Sequence, residues 1–351
     1  MLSPRVTLND IAADSGVSRA TVSLVLRNVP TVAPQTRTRV RRSMQRLGYV
    51  YHRGAAGLRT QRSRAIGLVV SDITNPFFAE VAVAIEDRLG LAGYVTLLGN
   101  TSENAAKQER VLRSMQEYPA DGILICPRIE DPGSWNSPAA SRAPIVAYAR
   151  FVPGFDYVGV DNTLGAEIAT DHLFKIGHKR IAFIGGSPEL SSSRERVDGY
   201  INAHSRSGRK YDRRLIVQGV PNRGGGHEGL LRALKVSPPP TGAICFNDVV
   251  AFGVLQALQL LGRRPGYDFG VVGFNNIPDA ALSRPGLTTV DTAPAKLGEA
   301  AADLLLQRIE NRSAPIRRII LQPKLIVRES CGGCRSDVAA FDRGTAYEPT
   351  N

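Results

Sequence analysis

The chain of 351 residues is long enough for two or three domains with a large core, and it carries a net charge of +12 at pH 7. No long apolar run occurs and the N-terminus lacks a basic-then-apolar leader pattern, so neither a membrane-spanning helix nor a secretory signal is expected and the chain reads as soluble and intracellular. Residues 1–64 hold twelve arginines, no lysine and only Asp10 and Asp14, which makes +10 and leaves +2 for residues 65–351; such a basic head is the electrostatic footprint of a nucleic-acid-binding module.

The first elements lie in Thr7–Asn28, TLNDIAADSGVSRATVSLVLRN. Thr7 and Asp10 are spaced as a capping box, and Leu8, Ile11 and Ala12 fall on one helical face. Gly16 suits a tight turn. Ser18 is placed to cap a second helix with Val22, Val25 and Leu26 buried, leaving Arg19, Ala20, Thr21 and Leu24 on the other face. Two short helices around a glycine turn, the second with an arginine-bearing start, read as a helix-turn-helix; the bland alternative is an ordinary helical hairpin. A third helix is expected from Pro34, with Val40, Met44 and Leu47 inward and Gly48 at its end. Ala33 is a poor cap, so its start is expected to fray. Residues 49–64, YVYHRGAAGLRTQRSR, are basic, and Gly54 and Gly57 would each cost a helix about 1 kcal/mol relative to alanine. This stretch reads as a linker that does not hold a helix alone.

From Ala65 strands and helices alternate. Strand 65–72 precedes a helix opening at Pro76, strand 94–100, a helix near 104–117, the run DGILICP and a strand at 144–150. A second series runs from a helix near 164–176 through strand 180–186, a helix from about 194, strand 214–218 and a helix near 226–235. Strand 242–246, helix 248–262, strand 269–274, LTTVD, a helix near 294–311 and RRIILQPKLIVRE complete it. The order implies mostly parallel sheets covered by helices on both faces, with ligands at the carboxyl ends of the strands. Cys126 and Cys245 sit in apolar runs and read as core residues of strands. Cys331 and Cys334 form a lone CxxC that lacks the remaining ligands of a zinc site, within an expected disordered tail 331–351. Five scattered histidines and the absence of GxSxG or Walker loops argue against an enzyme, and no cofactor or metal is expected.

An ordered series of motifs spans Val6 to about Ser330: TLNDIA…GVSRATVS, LGYV, SDITNPFF, VDNTLGA, GHKRIAFIGG, RVDGY, FNDVVAFG, GFNN, PGLTTV and LIVRES. By these the chain resembles the lac repressor (LacI/GalR) family of bacterial transcription regulators. The resemblance implies an all-α helix-turn-helix head (1–50), a hinge helix (51–64) and a periplasmic-binding-protein-like α/β core. That core has two subdomains, about 65–161 plus 291–320 and about 162–290 plus 321–330. It further implies a cytoplasmic homodimer or tetramer on an inverted-repeat operator in double-stranded DNA, with affinity modulated by a small polar effector such as a sugar derivative. A ligand-independent DNA-binding regulator and a solute-binding receptor are the alternatives.

Carried over residue by residue, Arg19 and Ala20 would read bases, the arginine as a bidentate donor to guanine. Leu24 stands where the family often has arginine, and Arg27 where it has asparagine. Thr21 shares the helix face, while Thr7, Ser18, Ser23 and Tyr49 would approach the phosphate backbone. Ala55 and Leu58 would meet the minor groove, with Leu58 wedged between central base pairs. Tyr51 replaces a common proline. The effector pocket would be lined by Ser71, Phe77, Phe78, Asp161, Arg196, Asn247, Asp248 and Asn275. Asn275 stands where many relatives carry aspartate, which removes one carboxylate acceptor for paired hydroxyls.

Overall fold

The computed structural model describes residues 6–26, 29–49, 63–117, 120–128 and 143–332. The chain divides into two compact units after Ser63.

The head contains helices α1 (Leu8–Ser15), α2 (Arg19–Leu26) and α3 (Pro34–Leu47). Thr7 and Asp10 form the capping box: Thr7 N–H donates to Asp10 Oδ2 at 2.8 Å, and Asp10 N–H donates to Thr7 Oγ1 at 3.4 Å. Gly16 closes α1 at φ 62°, where a β-carbon would be strained. Ile11, Val22, Val25, Val32 and Val40 are buried together; Leu8, Ala12, Leu26, Met44 and Leu47 pack around them half-buried. Asp14 accepts from Ser43 and Arg46, tying α1 to α3. Ala33 makes no side-chain cap, yet α3 is anchored. The Arg37 guanidinium reaches back to the carbonyls of Val32 (3.0 Å) and Val29 (2.7 Å) and fixes the preceding loop.

The larger unit is built on two sheets. The first has order β11-β5-β4-β3-β1-β2 and contains β1 (Ala65–Val70), β2 (Val95–Asn100), β3 (Gly122–Ile125), β4 (Ile145–Tyr148), β5 (Asp156–Val160) and β11 (Arg318–Leu321). The second has order β12-β10-β9-β8-β6-β7 and contains β6 (Ile181–Ile184), β7 (Ile216–Val217), β8 (Gly242–Cys245), β9 (Gly270–Asn275), β10 (Thr288–Asp291) and β12 (Lys324–Ile326). All neighbours pair in parallel except β10 and β12. Strands covered on both faces read as unbroken apolar runs, as GILI and GAIC do.

Helices α4 (Pro76–Leu91) and α11 (Pro294–Glu310) cover one face of the first sheet and α5 (Ala105–Glu117) the other. On the second sheet α6 (Asn162–Lys175) and α7 (Ser191–Arg206) lie on one face, α8 (Arg223–Leu234) and α9 (Asp248–Leu260) on the other; α10 (Asp279–Leu282) is a single turn. Gly199 lets α7 approach α6 closely, since a β-carbon there would lie 2.1 Å from the Thr163 carbonyl oxygen. The chain crosses between the sheets three times: from β5 to α6, from β10 to α11, and from β11 to β12.

Several boundaries differ from those expected. Strand β5 was not expected; DYVGV is short and follows a Pro-Gly turn, and its inward Asp156 breaks the apolar run. That carboxylate is 3% exposed because Arg308 meets it through two bonds of 2.6 and 2.8 Å. Helices α6 and α8 begin a few residues early, where Asp161 and Asn222 cap them. The tail does not begin at Cys331. That residue is buried in a short 3-10 turn, Glu329–Cys331, its sulfur beside His172 Nε2 (3.2 Å) and Thr288 Oγ1 (3.1 Å). Cys334 and the remainder of the tail lie outside the described residues.

Candidate functional site

The head presents α2 by its first turn. Ser18 caps it, its Oγ accepting from Thr21 N–H at 3.1 Å and lying 2.9 Å from Thr21 Oγ1. Ser18, Arg19 and Ala20 are exposed; Thr21 and Ser23 are half-buried. Leu24, expected on the outer face, packs partly against the head's own core, and so does Tyr49. The Thr7 hydroxyl is engaged with Asp10 at 2.7 Å. Arg39 and Arg42 add exposed charge on α3. Arg27, Tyr51, Ala55 and Leu58 lie outside the described residues.

The second site is a cleft between the carboxyl ends of the two sheets, with about 580 Å³ of space not filled by atoms, open mouth included. It gathers five of the eight residues expected there: Phe77, Phe78, Arg196, Asn247 and Asn275. Phe77 and Phe78 open α4 as an edge-to-face pair, ring centres 5.0 Å apart, under the Asn75 cap. Both also belong to the core of the first sheet.

Arg196 is the most constrained group. Its Nε donates to Asn162 Oδ1 at 2.9 Å, its Nη1 to the Phe246 carbonyl, and its plane lies 3.7 Å from the Phe274 ring centre and 4.7 Å from that of Phe246. Burial pushes its pKa down to about 9, which still leaves it cationic at neutral pH. These four contacts, to Asn162, Phe246 and Phe274, lock the fork, and Nη2 has no hydrogen-bond partner among the described residues. Asn275, at φ 114° and 4% exposed, likewise makes no side-chain hydrogen bond among them. Asn247 is partly spent: its Oδ1 caps α9 at 2.8 Å from Val250 N, and its Nδ2 reaches the Pro221 carbonyl at 3.3 Å.

Ser71, Asp161 and Asp248 do not line the cleft. Ser71 is fully buried, its Oγ 3.6 Å from Cys126 Sγ. Asp161 caps α6, accepting from Leu164 N–H at 2.9 Å. Asp248 lies behind Asn247, accepting from Thr289 Oγ1 at 2.5 Å and Ile277 N–H at 2.8 Å; burial lifts its pKa to about 6.

Other lining residues escaped sequence reasoning. Arg150 and Glu103 form a bidentate pair (Nη2–Oε1 2.6 Å, Nη1–Oε2 2.9 Å) at the cleft wall, with Glu103 in a left-handed conformation at φ 55°. Thr292 lines the cleft with a buried hydroxyl that has no partner among the described residues. Asn75 was available in the TNPFF motif; Glu103 and Thr292 carry no local signal. Across the mouth, Arg128 of the first subdomain meets Glu189 of the second at 2.5 Å, and Phe151 N–H donates to Ser191 Oγ at 3.0 Å. Such a cleft suits a small polar ligand bearing oxygen acceptors against a partly aromatic wall. Among the described residues, no group of three or more His, Cys, Asp and Glu is placed to hold a metal ion.

Comparison with known proteins places the chain in a family. Residues 7–51 match the model of bacterial regulatory proteins of the lacI family, and residues 170–331 match that of the periplasmic binding protein-like domain. The chain is similar to the HTH-type transcriptional repressor PurR of Photobacterium profundum (31% identity; 92% of this chain, 98% of that protein). It is also similar to the HTH-type transcriptional regulator GalR of Escherichia coli (29%; 92% and 95%). Among solved structures it resembles a transcriptional regulator CelR–cellobiose complex (29% identity, TM-score 0.70, covering 93% of this chain and 100% of that one). The lac repressor dimer bound to operator shares the fold (24%, TM-score 0.81; 93% and 99%). The chain therefore belongs to the lacI family, as a DNA-binding transcriptional regulator with an effector-binding core and not an enzyme.

Proposed function

We propose that the protein is a cytoplasmic repressor that binds an inverted-repeat operator as a homodimer, with a small polar effector in the cleft setting its operator affinity. The observation that carries the effector reading is Arg196, a locked guanidinium lining the same cleft as Asn275 and Thr292, with its Nη2, the Asn275 amide and the Thr292 hydroxyl all without a hydrogen-bond partner among the described residues. A sugar derivative is the favoured class; the CelR relative was solved with cellobiose and an Enterococcus faecium relative with ribose. Arg19 and Ala20 read bases from the start of α2. Thr7, Ser18, Thr21, Ser23, Arg27 and Tyr49 support backbone contacts, and Ala55 and Leu58 the minor groove. Exposed Val83, Val95, Leu97 and Leu98 on α4 and the β2 edge favour pairing of subunits there.

Selection of DNA fragments by the full chain tests the operator. An inverted repeat is expected, and Arg19→Ala should relax base preference at one position per half-site, a loss of about 1–3 kcal/mol of discrimination. Direct repeats, or equal loss on every sequence, would count against it. Thermal-shift screening of a sugar panel, then operator titration with and without each hit, tests the cleft. By linkage the hit and the operator must change each other's affinity by the same factor. Arg196→Ala should abolish the response while leaving ligand-free operator affinity unchanged. A response that survives it would move the effector elsewhere, and no response to any polar ligand would favour a ligand-independent regulator.

A further inference from the structure

Residues 65–351 are almost neutral in sum, at +2, but that charge is unevenly placed. Strands β6, β7, β8 and β9 are parallel neighbours, so the loops that enter them all open at the end of the second sheet away from the cleft. Those four loops, 176–180, 207–215, 235–241 and 262–268, carry nine lysines and arginines against Asp212 and Asp268. They amount to +7, and the rest of residues 65–351 to −5.

The loops form one surface. Arg180 donates to the Pro238 carbonyl at 2.9 Å and to Asp212 at 2.9 Å, Arg214 to Asp212 at 2.8 Å, and Arg209 to the His178 carbonyl at 3.4 Å. His178 Nδ1 lies 3.1 Å from Thr241 Oγ1. Asp212 is neutralised by two arginines and held ionised well below the usual carboxylate range. Lys179, Lys210, Arg213 and Lys235 are exposed and Arg263 half-exposed, none with an ion pair among the described residues.

We propose that this face is a second DNA-contact surface, one that grips the phosphate backbone of a duplex without reading its sequence. Four strands about 4.8 Å apart spread the charge over roughly 15 Å, comparable to a ~12 Å major groove with its two flanking backbones. A protein-docking patch needs an apolar centre and is poor in lysine. Here the exposed large hydrophobics within the loops are Tyr211 and Tyr267, and the guanidinium of Arg264 lies 4.9 Å from the Tyr267 ring centre. High positive charge with little apolar area is the character of nucleic-acid interfaces. The surface would let a molecule seated on one duplex hold another, or a distant stretch of the same one.

The test uses the full chain. A duplex selected by the head is immobilised and saturated with protein, and a labelled short random-sequence duplex is added. Wild-type protein should retain the label, with retention falling steeply as salt rises. Lys179→Glu/Lys210→Glu/Arg213→Glu should cut retention by about tenfold or more while binding the immobilised duplex as before, and the salt slope should fall by roughly 0.9 per phosphate contact removed. The glutamine triple variant, which removes charge without reversing it, should fall between. No retention by wild type overturns the proposal, as does retention unchanged in both variants, which would place bridging in the heads. Displacement of the label by polyglutamate as readily as by unlabelled duplex would also overturn it, making the face a dock for an acidic polypeptide.

Discussion

Asp248 shows how far a motif residue's task can lie from its neighbour's. Asn247 faces the cleft, and the next side chain turns inward to bind Thr289 and the Ile277 N–H. Burial raises its pKa to about 6, above the ordinary carboxylate value, so folding takes up a proton between about pH 4 and 6. Its contribution to stability is full below the unfolded value and is lost as pH rises through 6. Asp248→Asn should remove this component, on the order of 2–3 kcal/mol across that window, and the melting temperature of the variant at pH 7 against pH 5 should show it. His172 and His204 act with the opposite sign, because burial lowers both and acid must charge them in the unfolded chain first. At this scale the motifs located Phe77, Phe78, Arg196, Asn247 and Asn275 because they fall in local patterns. Glu103 and Arg150 were not legible, since a bidentate pair across two loops leaves no spacing to read.

Elements were legible wherever periodicity and caps agreed. The head's three helices follow their apolar stripes, and Gly16 and Gly48 end α1 and α3 in left-handed turns. Ala33 gives α3 no side-chain cap, as its residue type implies, and the loop before the helix is tied down by Arg37, one turn inside and bonded backwards to it, a link that no capping pattern shows. Strand β5 was hidden by Asp156, whose partner lies on α11. Contact between α6 and α7 depends on Gly199, with the Thr163 carbonyl where a side chain would be. Gly199→Ala should therefore cost about 1–3 kcal/mol, despite alanine's better helix propensity. A lowered denaturation midpoint at unchanged operator affinity is expected; a midpoint at or above the parent's would show that the helices separate freely.

For the whole molecule, the alternation of strands and helices disclosed two series of α/β units, while the sharing of the chain between two subdomains was implied only by the family resemblance. Charge totals were a poorer guide, because +2 over residues 65–351 concealed a +7 face whose cations meet only once parallel strands align their loops. The last crossings are secured by Arg308, which joins α11 to Asp156 on β5 and to the carbonyls of Ala314 and Pro315. Arg308→Ala leaves a buried carboxylate without its cation, a loss of about 3–5 kcal/mol. Thermal unfolding should fall accordingly, and Arg308→Ala/Asp156→Asn should recover much of it.

The three crossings also bear on birth order at the ribosome. Strands β1 to β5 emerge early, yet the sheet they form lacks its edge strand β11 and the helix α11 that covers Ile85 and Leu89. Both come from residues beyond 293, after the second sheet has received β6 to β10. At ~5–20 residues per second the wait is of order ten seconds, during which a half-built, sticky layer stands open. The later-made subdomain is thus nearly whole before the earlier one can close, and a nascent chain stalled near residue 290 is the form for which a chaperone would be most needed.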